Sequence, residues 1–340
     1  MPCRRIVAGL LIGAGLLSVP SAGAKPYLAP KGKVMVGVAG GRTADGYERA
    51  AGKRPAVFQF FVAWGDRFRY AYKRADDAGA GLMVHLSTYN GPDTVERITP
   101  RAIALGRSDE YLYSLGQDFK EYRQPVYLRL FSEMNNAANP YSAYDASGRH
   151  RGEAHSHYWF RQAWRRIDIV IKGGRVRRID ARLRALGLPK LHDLQRPGPF
   201  HLVKRLARPR VALQWVPMTA GSPNIHGNRP SAYWPGSRYV DWVGTDFYSR
   251  YPNFAGLQRF YSSRLYAGKP FVFGEWAMWG RDDPSFMRRF FSWVGAHPRV
   301  KMLSYNQGNE PTAVFRLYRY PRASKVMRRM LRSPRYTARG

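Results

Sequence analysis

Cysteine is almost absent from this chain of 340 residues, because the sequence contains only Cys3. After two arginines, an apolar run extends from Ile6 to Val19 and leads into the small residues Ala22–Gly23–Ala24. This order is typical of a secretory signal peptide, and the run is too short for a comfortable membrane span. We therefore expect a signal peptide at residues 1–24 and a secreted or periplasmic mature chain of residues 25–340. That mature chain contains no cysteine, which excludes disulfide bonds and thiolate chemistry.

Acidic residues are scarce: 23 aspartates and glutamates stand against 56 lysines and arginines, which gives a formal net charge of +33. Such a charge attracts anionic partners, for example acidic polysaccharide or envelope polymer, although solvated arginines without a partner explain it equally well. Residues 149–210 are strongly basic, with 17 lysines or arginines and four acids, and the tail from Arg316 carries no acid. The sequence lacks a basic-region helix, zinc-finger spacing and an RNA-binding aromatic motif, so we expect no specific nucleic-acid partner. No stretch after the signal peptide is apolar enough for a transmembrane helix.

Eight short apolar runs are spaced along the mature chain. Runs that are apolar at nearly every position are typical of parallel strands buried on both faces. The predicted strands are Lys33–Ala39, Ala56–Trp64, Gly81–Ser87, Pro125–Asn135, Val211–Pro217, Tyr239–Tyr248, Pro270–Trp276 and Val300–Asn306. They predict a single-domain α/β fold, a (β/α)8 TIM barrel, with a basic insert at about residues 140–208. The alternative, an open doubly wound sheet, needs a Gly-x-Gly-x-x-Gly loop that residues 37–41 do not provide.

Five segments between or after these strands have the pattern of helices. Ser108–Tyr122 is the clearest, since Ser108 suits the N-cap and Asp109 and Glu110 suit the first turn. The other predicted helices are Arg67–Ala78, Ser156–Ile171, Ser285–Val294 and Ser324–Leu331.

Two glutamates stand at the carboxyl ends of predicted strands, where the active site of a (β/α)8 barrel lies. Glu133 ends the fourth strand and Glu275 ends the seventh, so we expect them to face each other across the barrel. Two facing carboxylates are what cleavage of a glycosidic bond requires, and flat aromatic side chains suit the C–H faces of sugars. The candidate substrate-binding residues near these strand ends are Trp64, His85, Ser132, Asn135, Trp276, Trp279 and Asn306.

Histidines offer weaker candidates. His85 either contacts substrate or is a buried, neutral histidine. His155 and His157 lie near Glu153, but no fourth ligand stands at a convincing spacing, so we predict no metal site. The two-glutamate chemistry itself needs no metal or cofactor.

The segment from Arg129 to Asn135 resembles the strand-four motif Arg-x-x-His-Glu-Met-Asn of glycoside hydrolase family 26, the β-mannanase family of clan A. Arg129, Glu133, Met134 and Asn135 match this motif. Other segments are similar to the family's approach to strand four, to its strand six and to its strand seven: residues 106–111, Tyr239–Tyr248 and 269–276. The similarity covers most of the mature chain, with four motifs in the family's order.

This resemblance implies roles for particular residues. Glu133 would be the general acid/base and Glu275 the nucleophile of a retaining double displacement. Tyr248 would hydrogen-bond the nucleophile, and Arg129 would lie beneath the sugar site. Two positions depart from the family: Ser132 stands where the family has histidine, and Tyr305–Asn306 stand where it often has tryptophan.

Three functions remain open at this point. The first is a secreted, monomeric, retaining endo-β-glycosidase acting on a mannan-like or related polysaccharide, neutral or anionic. The second is a barrel that binds polysaccharide without cleaving it, which the departures at Ser132 and Asn306 favour. The third is a basic envelope protein that binds polyanions, in which the glutamates play no part.

Overall fold

Eight parallel strands close into a barrel in the computed structural model, which describes residues 26–41, 43–89, 95–191, 203–310 and 312–338. The predicted signal peptide lies outside the described residues. The barrel strands are β1 (Val34–Ala39), β2 (Val57–Ala63), β3 (Gly81–Ser87), β4 (Val126–Leu130), β5 (Val211–Trp215), β6 (Trp242–Tyr248), β7 (Phe271–Ala277) and β8 (Val300–Asn306). Each strand pairs with its neighbours in sequence, and β1 closes the ring by pairing with β8, where Met35 lies opposite Met302. The predicted (β/α)8 barrel is confirmed.

Helices surround the strands in the described part of the chain. They are α1 (Asp45–Ala51), α2 (Arg69–Asp77), α3 (Pro100–Ala104), α4 (Asp109–Tyr122), α5 (His157–Ile171), α6 (Val176–Arg184), α7 (Phe254–Tyr261), α8 (Pro284–Ala296) and α9 (Pro321–Leu331). All five predicted helices are present within a few residues of their expected bounds. The connection from β5 to β6 instead contains three short 3-10 turns, His226–Asn228, Pro230–Tyr233 and Ser237–Tyr239.

The N-cap of α4 differs from the prediction in one respect. Ser108 occupies the N-cap position, but its hydroxyl accepts no hydrogen bond from the first turn. Its backbone angles, φ −133° and ψ 25°, are not the extended ones that normally aim an N-cap side chain over the helix end. The acidic first turn, with Asp109 and Glu110, remains as predicted.

The strands are buried on both faces, which explains why their sequences are almost continuously apolar. Outward-facing side chains pack against the helices in one large core. Inward-facing side chains fill the lower barrel in a second core that includes Met35, Met83, Trp242 and Met302. The start of the described chain covers this end, since the Trp242 indole donates to the carbonyl of Pro26 at 2.7 Å. The opposite, carboxyl end of the barrel is therefore the open one.

The segment between β4 and β5 contains the predicted basic insert. Its helix α5 packs on the barrel, because Phe160, Trp164 and Ile167 are fully buried. After α5 come α6 and a two-stranded antiparallel ribbon formed by Gly174–Arg175 and Arg205–Leu206. The bounds of the insert stay a prediction. Among the described helices, none is long and apolar enough to cross a bilayer.

Candidate active site

A pocket of about 670 Å³ opens at the carboxyl end of the barrel. Both predicted catalytic glutamates line it, as do Tyr248 and Ser132. The other side chains that shape it come from the ends of β2, β3 and β6 and from the following loops, chiefly Phe61, His85, Tyr89, Asn136, Asn139, Asp246, Tyr251, Trp279 and Phe315. The structure therefore brings together residues separated by more than 200 positions.

A β-bulge in β7 turns Glu275 into this pocket. Phe273 pairs with Thr245, but the next pair joins Trp276 to Phe247, so β7 contains one extra residue here. The same irregularity occurs against β8. Regular alternation from the inward-facing Val272 would point Trp276 inward and Glu275 outward. The extra residue reverses this arrangement, as bulges near active sites often do.

Glu133 is held at the pocket by a backbone conformation that non-glycine residues seldom adopt. Phe131 and Glu133, just after β4, have φ values of +45° and +50°. Three hydrogen bonds fix the turn: the Glu133 N–H donates to the carbonyl of Val216 at 2.8 Å, and its carbonyl accepts from the Asn139 side chain and the Asn136 N–H, both at 2.9 Å. Left-handed conformations of this kind are costly and cluster at functional sites.

Arg129 lies beneath the pocket floor and connects its acidic groups. The guanidinium is fully buried and donates to Oε1 of Glu275, to Oδ2 of Asp246 and to the hydroxyl of Ser132. Burial opposes the charge on this group, but the two carboxylates outweigh burial and raise the pKa of Arg129 above its ordinary value. Arg129 therefore remains a cation, and its charge favours ionised neighbours.

Both carboxylate oxygens of Glu275 are hydrogen-bonded. Oε1 accepts from Arg129, while Oε2 accepts from the Tyr248 hydroxyl at 2.6 Å and from the Asn306 amide at 2.7 Å. The backbone N–H of Glu275 donates to Oδ1 of Asp246 at 2.8 Å. Burial alone would raise the pKa of Glu275, but Arg129 and these donors hold the pKa below its ordinary value. Glu275 is therefore an ionised, oriented carboxylate.

Glu133 has the opposite protonation behaviour. Burial raises the pKa of Glu133, and the negative charge of Glu275 adds to this effect, against a hydrogen bond from the Asn136 amide at 2.9 Å. Burial also raises the pKa of Asp246 well above its ordinary value, against the charge of Arg129. The raised pKa of Glu133 favours its protonated form, while the lowered pKa of Glu275 favours the carboxylate. The arrangement thus offers a proton donor and an anionic nucleophile in one pocket.

His85 and Ser132 lie at the floor of the pocket. Both ring nitrogens of His85 are buried without a partner among the described residues, and its ring meets the edge of Phe61. Burial lowers the pKa of His85 to about 3, with Arg129 acting in the same direction, so the ring is neutral. The Ser132 hydroxyl accepts from Arg129 and lies 3.2 Å from Oδ2 of Asp246, to which it donates.

Aromatic residues form one wall of the pocket. Trp279 packs edge-on against Tyr248, Tyr251 and Phe315, with ring centroids 5.2–5.6 Å apart. Arg250 lies over Trp279, 5.1 Å from its centroid. This wall offers flat apolar surface beside the carboxylates.

Four predicted substrate-binding residues do not line the pocket: Trp64, Asn135, Trp276 and Asn306. The Asn306 amide instead donates to Tyr248 and Glu275. Trp64 is buried and stacks on Phe131, and Trp276 is buried and stacks on Phe290 of α8 at 4.2 Å. Asn135 is fully buried, and its side chain exchanges hydrogen bonds with the backbone of Met218 at 2.9 and 3.1 Å. Their contact with substrate stays a prediction, while the contacts seen here are with the protein itself.

Asp246, Asn136 and Phe315 line the pocket, although no role was predicted for them. Asp246 had a usable signal, because it lies two residues before Tyr248 on one strand and therefore on the same face. Asn136 and Phe315 lie in loops, where sequence periodicity gives no direction for a side chain.

The histidines of the β4–β5 segment lie apart from the pocket. His155 Nε2 lies 2.6 Å from Oε2 of Glu96, and burial lowers the pKa of His157 to about 4. In the described part of the chain, no group of three or more His, Cys, Asp or Glu residues could hold a metal ion.

The chain is thus a (β/α)8 barrel with paired carboxyl groups in its open end. Solved structures of this fold match it, and among them are mannanases of glycoside hydrolase family 26. The chain is similar to the Bacillus subtilis mannanase BCman at 15% identity (TM-score 0.55), covering 93% of this chain and 90% of that one. It is similar to the family 26 β-mannanase BoMan26A of Bacteroides ovatus at 13% identity (TM-score 0.55), covering 90% of each.

A modular endo-β-1,4-mannanase of Cellulomonas fimi is also similar, at 16% identity with a TM-score of 0.53, covering 90% of this chain and 72% of that one. No protein-family model matches the sequence, and no curated protein sequence matches it. At these identities the likeness establishes a shared fold.

Proposed function

We propose that the protein is a glycoside hydrolase that cleaves β-linked polysaccharide by a retaining double displacement. The observation that carries this proposal is the opposite protonation behaviour of two glutamates in one pocket. The pKa of Glu133 is raised by burial and the charge of Glu275, whereas the pKa of Glu275 is lowered by Arg129 and its hydrogen bonds, against burial. Glycosidases need this difference between their acid and their nucleophile.

In the first step, Glu133 protonates the glycosidic oxygen while a carboxylate oxygen of Glu275 attacks the anomeric carbon. The bond to the leaving sugar breaks, and a covalent glycosyl-enzyme forms. In the second step, Glu133, now ionised, takes a proton from water as the water attacks the same carbon and releases Glu275. Arg129 and Tyr248 hold Glu275 in place throughout.

The proposed substrate is a β-mannan or a related glycan, cleaved within the chain. This proposal is supported by the likeness of the fold to β-mannanases and by the aromatic wall of Trp279, Tyr251 and Phe315. Ser132 replaces the histidine that the family 26 motif has next to the acid, and its hydroxyl is already occupied by Arg129 and Asp246. We therefore expect a preference for sugars that differs from that of the mannanases.

We also propose that the enzyme acts outside the cytoplasm as a monomer. The support for export is the predicted signal peptide at residues 1–24, and the support for a monomer is that one chain supplies both glutamates and every group that orients them.

A direct test measures hydrolysis of galactomannan, glucomannan, mixed-linkage glucan, xylan and an acidic polysaccharide by the mature chain. We expect new reducing ends from at least one polymer, and NMR should detect the product first as the β-anomer. Glu275→Ala and Glu133→Gln should each reduce hydrolysis by at least about a thousandfold.

Glu121→Gln is the matched control, because Glu121 is an exposed carboxylate on α4 outside the pocket. Its activity should equal that of the parent. Binding to one polymer without hydrolysis of any would replace this proposal with a polysaccharide-binding barrel, and an α-anomeric first product would replace retention with inversion.

A further inference from the structure

A second cavity, of about 1020 Å³, lies on the outside of the barrel between α1, α8 and α9. We call it the basic groove. Seven of its 13 lining residues are lysine or arginine, and none is acidic: the seven are Arg49, Arg288, Arg322, Lys325, Arg328, Arg329 and Arg332. The charge of the groove therefore attracts anions.

The sequence of α9 explains how five of these cations come to share one face. Arg322, Lys325, Arg328, Arg329 and Arg332 recur every three or four residues and are exposed. The opposite face of α9 is buried in the core through Ala323, Val326, Met327 and Leu331. This amphipathic pattern fixes the helix on the barrel and leaves a continuous row of cations outside.

No carboxylate among the described residues neutralises the cations of the groove. Within the described ranges, none of the seven has a carboxylate within salt-bridge distance. Arg328 is the most constrained, since its guanidinium donates to the carbonyls of Arg49 and Ala50 at 2.7 and 3.2 Å. Crowding so many like charges without a counter-ion destabilises the folded chain, and a bound anion would relieve that repulsion.

The basic groove begins beside the wall of the active-site pocket. Trp279 and Phe315 line the pocket, and the segments that carry them reach the groove at Arg288 and at Tyr318. These segments are tied together, because the Gly280 N–H donates to the Tyr320 hydroxyl at 3.0 Å. Asp282 also accepts from the N–H groups of Arg322 and Ala323, both at 2.9 Å. A polymer that extends from the pocket over this ridge would meet the groove.

We infer that the basic groove binds a segment of an anionic polysaccharide whose chain also reaches the active-site pocket. The choice of a polysaccharide rests on the proposed function, whereas the groove's affinity for anions does not. Residues three or four apart on α9 rise about 4.5–6 Å along the helix. This spacing is comparable to one pyranose unit, so successive cations face a polymer with one carboxylate on each sugar.

Nucleic acid fits the basic groove less well. Single-stranded nucleic acid is bound by stacking successive bases on aromatic side chains, and Tyr318 is the sole aromatic residue among the 13 that line the groove. Duplex DNA is read by an element that projects into its grooves, whereas this site is concave.

The test measures binding of polygalacturonate by the mature chain carrying Glu275→Ala, so that binding does not depend on hydrolysis. The groove variant combines Lys325→Glu, Arg329→Glu and Arg332→Glu, which are exposed and, in the described structure, make no side-chain hydrogen bond or ion pair. We expect its affinity to fall by at least about tenfold and the salt dependence of binding to become weaker. Thermal unfolding of each variant shows whether it is folded.

The matched control makes the same change in charge on another helix. Arg177→Glu, Arg178→Glu and Arg184→Glu lie on the exposed face of α6, and this triple variant should bind polygalacturonate within about twofold of the parent. Equal losses in both triple variants would mean that net charge alone attracts the polymer, and would overturn the inference. It would also be overturned if single-stranded DNA bound to the groove at least as tightly as polygalacturonate. If the groove variant loses binding while the parent cleaves no glycan, the proposed function fails and the anion-binding groove stands.

Discussion

The hydroxyl group of Tyr248 donates a hydrogen bond of 2.6 Å to Oε2 of Glu275. The same hydroxyl accepts from the Asn306 amide at 3.0 Å, and that amide also donates to Oε2 at 2.7 Å. The three groups form a closed triangle that fixes the carboxylate plane. Because Tyr248 and Asn306 come from β6 and β8, the two strands that flank β7, the barrel itself orients the proposed nucleophile.

We predict that Tyr248→Phe lowers kcat by about a hundredfold, with a much smaller change in KM. The variant keeps the ring that packs against Trp279 but removes the donor that orients Glu275 and lowers its pKa. The acidic limb of the pH–rate profile should therefore move to higher pH. Tyr70→Phe, a matched loss of a hydroxyl on the outer helix α2, should leave both parameters unchanged. An unaltered acidic limb in Tyr248→Phe would contradict the role given to this hydrogen bond.

We predict a bell-shaped dependence of kcat/KM on pH. The pKa of Glu275 is lowered, against burial, by Arg129 and its other partners, so activity is lost at low pH as this carboxylate gains a proton. Burial raises the pKa of Glu133, so activity is lost at high pH as this acid loses its proton. The optimum lies between the two, with the alkaline limb above the ordinary glutamate pKa.

Glu133→Gln separates the two limbs of this profile. With an aryl glycoside whose leaving group needs no protonation, the variant should still form the glycosyl-enzyme, and the alkaline limb should disappear while the acidic limb stays. Stopped-flow measurement of phenol release would follow this step. An alkaline limb that persists unchanged in Glu133→Gln would assign it to another group with a raised pKa, for which Asp246 is the candidate.

The sequence predicted the barrel well because a parallel strand buried on both faces leaves a continuous apolar run. It also identified Glu133 and Glu275 as strand-end residues that meet at one end. It could not predict which of two adjacent residues on β7 enters the pocket. Regular alternation along β7 would point the side chain of Trp276 into the pocket. The bulge that points Glu275 there instead arises from the pairing of β7 with β6 and β8.

Other features of the site depend on contacts between distant loops. Asn135 matches the family 26 motif, yet its amide holds the loop after β5 through Met218. Trp64 follows a strand, yet its ring packs on Phe131 and not in the pocket. The positive φ of Phe131 cannot be predicted from the local sequence. In each case the residue type was informative, while the partner was fixed by the tertiary structure.

The position of Arg129 beneath the pocket also depends on a residue without a side chain, Gly274. A Cβ atom at Gly274 would lie 2.6 Å from Nε of Arg129 and 3.0 Å from Cγ1 of Val216. Arg129 is fully buried, so it can move away only by breaking its hydrogen bonds to Glu275 and Asp246.

We therefore predict that Gly274→Ala lowers the free energy of unfolding by about 1–3 kcal/mol, as overpacking does, and reduces kcat by at least about tenfold. Chemical denaturation and steady-state kinetics measure the two effects. Gly295→Ala is the matched control, because a Cβ atom at this position of α8 meets nothing within 4 Å. It should leave kcat unchanged and stabilise the protein by up to about 1 kcal/mol, since alanine favours the helix. Full activity in Gly274→Ala would contradict this prediction. It would mean that the hydrogen bond from Arg129 in its present position is not needed to orient Glu275.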